Sequence, residues 1–268
     1  MPEGDTILRA ARALEKAIGG REITAFHSPL PRLSGVHLAG RRVEKVEARG
    51  KNLLVRLDDG SALLSHMRMT GSWHLYRPGE AWRKPARQAR AVLETTEFVA
   101  VCFNAPVLEL LSERQLARHA GVAQLGPDIL ESGRFDFAEA RRRLRERNAA
   151  PIGEALIAQR AVAGIGNIYK SEALFLSGMD PFRTVAELED AELEALLTRA
   201  RELMSANLGG RPRAARASLE GGRYWVYGRS GQPCRRCGTR IRMRRQGLAG
   251  RSTYWCPTCQ PGKAAAES

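Results

Sequence analysis

Cysteine is scarce in this 268-residue chain: there are five, and four of them stand close together near the C-terminal end. That number and clustering exclude a secreted disulfide scaffold. The fifth, Cys102, lies in the apolar run EFVAVCFNA and reads as a core residue, not a reactive thiol. No apolar run is long enough to span a bilayer, and no cationic, apolar, cleavable leader is present. A soluble, cytoplasmic protein with no membrane partner is therefore expected. Acidic residues are outnumbered, 29 against 43 Lys and Arg, which leaves a formal charge of +14 and a pI near 10.3. That balance points to a polyanionic partner. Lysine supplies only six of the basic residues. Arginine suits bidentate contact with phosphate, although GC-rich coding produces the same bias.

The length accommodates two domains. DTILRAARALEKAIGG reads as a helix with one apolar face, capped by Asp5 or Thr6 and stopped by Gly19-Gly20. From residue 21 to 104, short β-branched and leucine-rich runs alternate apolar with polar, and a DDG hairpin signal separates two of them. An antiparallel β-sandwich is expected there. GVAQLGPDILESG has the texture of a linker. Helical patterns follow in FDFAEARRRLRERN, PIGEALIAQRAVA, NIYKSEALFLSG and TVAELEDAELEALLTRARELMSANL. GGRPRAARASLEGGR is a basic, glycine-rich loop, and QPGKAAAES is a featureless tail.

Three short stretches carry chemistry. The chain opens MPEGDT. With Met1 removed, the nitrogen of Pro2 becomes a secondary amine, and α-amino groups titrate near ~7.7–8.0, so a usable fraction is neutral and nucleophilic. It can attack an aldehyde carbon while Glu3 moves protons; the competing reading is a frayed terminus. Cys234-x2-Cys237 and Cys256-x2-Cys259 can close a tetrahedral structural zinc site at the ends of a hairpin, with two disulfides or a mononuclear iron site as the alternatives. Arg240, Arg242, Arg244, Arg245 and Arg251 line that hairpin, a surface suited either to a nucleic-acid groove or merely to water. In AVAGIGNIYKSEAL, Asn167 stands where a helix starts, able to cap it or to offer its amide to a phosphate.

Pro-Glu-Gly, Gly-Ile-Gly-Asn and the four-cysteine hairpin, in that order, resemble the formamidopyrimidine-DNA glycosylase / endonuclease VIII family of base-excision repair enzymes. The resemblance covers residues 2–260 and includes ARGKNLL, SHMRMTGSW, LGPDIL, VYGRSGQPCRRCG and GRSTYWCPTCQ. It implies an α+β fold: an N-terminal β-sandwich flanked by an N-terminal helix (1–120), a linker (121–134), a helix–two-turn–helix domain (135–222), a zinc ribbon (223–260) and a disordered tail (261–268). It implies a monomer acting on damaged double-stranded DNA, associated with the nucleoid through that DNA, and one structural zinc. Pro2 would attack the anomeric carbon and form a Schiff base, Glu3 would transfer protons, and β,δ-elimination would cleave the strand. Lys51 matches the family's lysine near the lesion phosphate, and Asn167 and Arg251 match its phosphate-gripping residues. Glu172 matches a carboxylate in or near the site; the alternative is a helix-surface glutamate. Arg68, Met69 and Thr70 fall where the family places the wedge that fills the gap left by an extruded base. A core methionine on a strand is the other reading of Met69.

Two departures bear on substrate. The purine-lesion branch carries an Arg-Arg-Phe-Gly wedge before LGPD, whereas here the region reads FNAPVLELLSERQLARHAG. That branch also has a longer, threonine-rich lesion-capping loop before VYGR. Both departures lean toward the endonuclease VIII branch and oxidised pyrimidines such as thymine glycol. The competing functions are a purine-lesion glycosylase, a lyase with little glycosylase activity, and a non-catalytic zinc-ribbon DNA binder, for which Pro2-Glu3 would have no purpose.

Overall fold

A computed structural model describes residues 2–131, 133, 135–209, 213–216 and 222–262. Residues 263–268 of the expected tail, residues 210–212 and 217–221 of the basic loop, residues 132 and 134, and Met1 lie outside the described residues. The chain forms two compact units, Met1–Gln124 and Leu125–Ser268, and the division falls within the stretch read as a linker. Among the described residues no helix is long and apolar enough to cross a membrane.

The first unit opens with α1 (Gly4–Ile18). Eight strands follow: β1 (Ala25–His27), β2 (Val43–Arg49), β3 (Asn52–Leu57), β4 (Ala62–His66), β5 (Ser72–Tyr76), β6 (Ala89–Glu94), β7 (Val99–Phe103) and β8 (Val107–Leu111). They form two antiparallel four-stranded sheets, β1-β6-β7-β5 and β2-β3-β4-β8, the expected sandwich. Strand alternation explains the core. Leu53, Val55, Leu57 and Leu63 from one sheet meet Ala91, Leu93, Ala100 and Cys102 from the other, together with Ile7, Leu14 and Ile18 of α1. Both sheets are also covered outside, so β7 reads as a continuous apolar run and β3 is buried at every position but Arg56. Val101 and Phe103 pack under Tyr76 and Trp82, and Leu54 and Leu64 pack under Leu116 of α2 (Glu113–Arg118). The single-turn α3 (Ala120–Ala123) ends the unit. Burial pushes the Cys102 thiol up to about 12, in keeping with an inert core residue.

The second unit contains α4 (Phe137–Arg145), α5 (Ile152–Ala155), α6 (Asn167–Leu176), α7 (Asp190–Ala206) and the hairpin β9 (Arg242–Gln246) and β10 (Arg251–Trp255). Asp136 caps α4 by accepting from the Glu139 N–H at 2.9 Å. The helix expected across PIGEALIAQRAVA is confined to α5. Its C-terminal half instead runs as successive turns, the Ala161 N–H donating to Ala158 O at 2.8 Å, and ends with Ala163 bridging Asp128 in parallel. Tertiary pairing there overrides the helical propensity of alanine.

Leu53 has 0% exposure between the sheets, so Leu53→Ala is expected to cost about 2–5 kcal/mol in urea unfolding. A loss well under 1 kcal/mol would contradict the packing described.

Candidate functional site

The helix at the N-terminus starts earlier than its sequence suggests. Glu3, not Asp5 or Thr6, is the N-cap, and its carbonyl accepts the N–H groups of Thr6 (2.9 Å) and Ile7 (3.1 Å). Asp5 is instead buried inside the first turn, so its side chain is not available as an entry cap. Glu3 itself has 0% exposure, and Pro2 is half-buried directly before it. Pro2 and Glu3 are therefore packed, not frayed.

Local geometry locates the rest of this end of the unit. The Gly20 N–H donates to Val43 O at 2.7 Å, and the Val46 N–H donates to Glu15 Oε2 at 2.5 Å, so α1 runs antiparallel to β2. Tracing back from Glu15 to Glu3 covers about 18 Å of helix. Tracing forward from Val46 to Lys51 covers about 17 Å of strand. Pro2 and Glu3 thus lie at the end of the sheet that carries the β2–β3 turn. That turn is Gly50-Lys51, closed by the Arg49–Asn52 pair, with Gly50 at φ 59° in its first central position as a type II′ turn requires.

His66 and residues 67–71 share that end, because Asn52 pairs with His66 across β3 and β4. Gly71 N–H donates to Met67 O at 2.8 Å and closes a tight turn. A Cβ at Gly71 would stand 2.7 Å from both Met67 Cα and Met67 O, so the turn admits only glycine without shifting backbone. Arg68 adopts φ 44°, a left-handed conformation that costs about 1–3 kcal/mol in a non-glycine residue. His66 Nδ1 accepts the Arg68 N–H at 3.2 Å, and Thr70 Oγ1 donates to Asn104 O at 3.2 Å. These bonds hold a strained tip on which Met69 is 66% exposed. The core reading of Met69 does not hold. Burial, then the charges of Lys51 and Arg68, hold the His66 imidazole below its ordinary range. Sequence reading missed His66, whose brace depends on a partner set by turn geometry.

In the second unit α6 gathers the remaining residues. Gly166 is its N-cap, so Asn167 is the first helical residue and not the cap; its side chain is 6% exposed. Gln159 braces the preceding turn, donating to Ile157 O (2.8 Å) and Ile165 O (2.9 Å) and accepting from the Gly164 N–H (3.0 Å). Glu172 is fully buried, not on a helix surface. Its carboxylate accepts the N–H groups of Trp225 (2.8 Å), Val226 (2.9 Å) and Tyr227 (2.8 Å). Burial pushes its carboxyl up, and the three N–H groups pull it back. In this arrangement Glu172 is the anchor of residues 225–227.

Phe175 of α6 packs against Val226, Cys234, Ile241 and Cys256, the floor of the cysteine cluster. The four sulfurs lie within 4.8 Å of one another, with Cys237–Cys256 at 3.4 Å, Cys237–Cys259 at 3.5 Å and Cys234–Cys259 at 3.9 Å. These spacings exceed a disulfide's ~2.05 Å. They suit four thiolates around one zinc at ~2.3 Å, a tetrahedron with edges of about 3.8 Å. The site is a closed structural one, which the fold supports through a Thr239–Thr258 hydroxyl bond at 2.8 Å. Arg251 is exposed at the start of β10, opposite Gln246.

Two outcomes follow. Cys256→Ser should lower zinc from one per chain to well below one by elemental analysis, and an unchanged content would reject the four-thiolate site. The His66 ring should titrate by NMR below the ordinary ~6.5, and Lys51→Gln should move its midpoint upward. Because the folded value is depressed, the stability tied to neutral His66 is complete above pH ~6.5 and is lost as pH falls through the folded value. A midpoint at or above 6.5, unmoved by Lys51→Gln, would contradict the cluster.

Sequence comparison agrees with this architecture. Family models match the formamidopyrimidine-DNA glycosylase N-terminal domain over residues 1–110, its H2TH domain over 125–213, and the zinc finger found in FPG and IleRS over 231–262. The chain is 44% identical to a probable endonuclease 8 2 of Streptomyces coelicolor over 98% of its own length and 95% of the relative's. It is 39% identical to the DNA-(apurinic or apyrimidinic site) lyase Nei2 of Mycolicibacterium smegmatis, over 97% and 99% of the two chains. A crystal structure of Lactococcus lactis formamidopyrimidine-DNA glycosylase, non-covalently bound to abasic-site DNA, superposes with a TM-score of 0.78 at 27% identity, over 97% of this chain and 100% of that one. With its packed N-terminal Pro-Glu, its sandwich, its glycine turn into α6 and its four-thiolate ribbon, the chain belongs to the formamidopyrimidine-DNA glycosylase / endonuclease 8 family.

Proposed function

We propose that the protein is a bifunctional DNA glycosylase and abasic-site lyase of base-excision repair that acts on oxidised pyrimidines through the N-terminal amine of Pro2. The observation that carries this reading is the fully buried Glu3 at the head of α1, which fixes Pro2 beside a carboxylate at the end of the sheet that bears Lys51. A pure DNA binder has no use for that arrangement.

The chemistry follows from the groups present. With Met1 removed, the Pro2 nitrogen bonds to C1′ of the damaged nucleotide as the bond to the base breaks, and the base leaves with the amine's proton. The C1′–O4′ bond then opens as Glu3 delivers a proton to O4′, and the nitrogen lone pair completes a C1′=N iminium that is necessarily cationic, because a secondary amine has no further proton to give up. That cation acidifies the C2′–H. Loss of the C2′ proton then expels the 3′ phosphate, and a second elimination expels the 5′ phosphate. Glu3 is the proton carrier at the sugar. Lys51 contributes positive charge beside the phosphate and keeps the amine from protonating by like-charge repulsion. Met69, on its strained and exposed turn, occupies the gap left by the extruded base, with Arg68 and Thr70 beside it. Asn167 and Arg251 hold phosphates around the lesion, and zinc holds the hairpin that carries Arg251.

The pyrimidine assignment is supported by the relatives named endonuclease 8 and by the segment before LGPD. That segment lacks the Arg-Arg-Phe-Gly motif, and within it Ser112 and Gln115 form a capping box for α2, whose Leu116 packs over the sheet. Borohydride trapping tests the reading. Protein beginning at Pro2 should form a stable adduct with both an abasic-site duplex and a thymine-glycol duplex, and Pro2→Gly should lose most of it. A band on the abasic duplex alone would mean a lyase with another lesion preference. No band on either would move the protein to the DNA-binding class.

A further inference from the structure

Lys170 is a charged side chain with 0% exposure in the middle of α6. An ammonium is expensive to bury, and an apolar residue would fill the same volume at lower cost. Its position shows what it does there. Lys170 Nζ donates to Ser252 O at 3.0 Å and to Thr253 Oγ1 at 2.7 Å. Thr253 Oγ1 donates in turn to Gln246 Oε1 at 2.5 Å, and Gln246 Nε2 donates to Pro181 O at 3.1 Å.

Three of these residues flank Arg251 on the hairpin. Ser252 follows it, Thr253 shares its face two residues on, and Gln246 is its cross-strand partner. On the helix side, Lys170 lies three residues after Asn167, on the same face and about 5–6 Å away between Cβ atoms. One buried ammonium therefore links the helix start that presents Asn167 to the strand start that presents Arg251.

We propose that Lys170 is a positioning residue that fixes Arg251 relative to Asn167, so that both grip the phosphates around one lesion. This rests on the reading of the chain as an enzyme of damaged DNA. Lys170 touches no DNA itself and acts through the Ser252–Thr253 backbone and the Thr253–Gln246 bond. Without it, zinc still closes the ribbon, but the start of β10 loses its fixed point on α6.

A double-mutant cycle in the full-length, zinc-loaded protein tests the assignment, read as equilibrium binding to a duplex containing a reduced abasic-site analogue across a range of salt concentrations. Arg251→Ala and Lys170→Met should each weaken binding about tenfold and each flatten the salt dependence by about one phosphate contact. The double variant should bind no more than about threefold weaker than Arg251→Ala alone, because both changes remove the same contact. Zinc content and thermal midpoint report whether Lys170→Met is folded. Thr253→Val, which keeps the shape and removes the hydroxyl, should give the same loss and carries the cycle if Lys170→Met fails to fold. A purely structural lysine would lower the thermal midpoint and leave the salt slope of the folded protein unchanged. Additive losses, about a hundredfold in the double variant, would overturn the proposal, as would wild-type affinity and slope in Lys170→Met or in Thr253→Val. If wild-type protein does not distinguish the analogue from undamaged duplex and Arg251→Ala changes nothing, the functional reading itself fails and this assignment falls with it. Selective, Arg251-dependent binding that ignores Lys170 rejects the Lys170 assignment alone.

Discussion

Glu3 is fully buried at the head of α1, and the first unit is organised around keeping it there. A terminal proline on a loose segment would sample many orientations, whereas one held before a packed helix turn has few left to lose. The apolar face of α1 supplies the hold, because Ile7, Leu14 and Ile18 are part of the sandwich core. The antiparallel run of α1 along β2 then brings the terminus to the Lys51 turn, the His66 brace and the Met69 tip. Position along the chain has been converted into proximity by packing one helix on one strand.

The second unit has a comparable organiser in α6. Within ten residues this helix carries the Asn167 amide at its start, the Lys170 link to β10, the Glu172 anchor for residues 225–227 and the Phe175 floor of the thiolate cluster. A helix with so many buried polar groups has little stability to gain from them unless each is satisfied. Here the Glu172 carboxylate accepts three N–H groups, and Lys170 donates to the hairpin. These contacts make α6 the frame that ties residues 225–227 and the start of β10 to one helix.

Much of this was legible in the sequence, for definable reasons. The cysteine spacing, the Gly-Ile-Gly-Asn turn and Pro2-Glu3 are local signals, and local signals survive without knowledge of the fold. Strand alternation gave the sandwich. The helix start is not legible in the same way, because Asp5 is a favoured cap residue by type and only the fold places it inside the turn. Glu172 and Met69 each had two readings that sequence could not separate, because burial of a helix glutamate and exposure of a turn methionine are tertiary properties. Lys170 and His66 were unreadable for the same reason. Lys170 bonds residues 82 and 83 positions away, and His66 takes its role from a left-handed Arg68 that no propensity predicts.

The central claim is that the reacting atom is the Pro2 nitrogen. Its most direct test is mass spectrometry of the borohydride-reduced adduct after trypsin, with the attachment site mapped by fragmentation. The account predicts the reduced sugar remnant on the peptide PEGDTILR, at the Pro2 nitrogen. A remnant on Lys51 or any other lysine, with PEGDTILR unmodified, would contradict it.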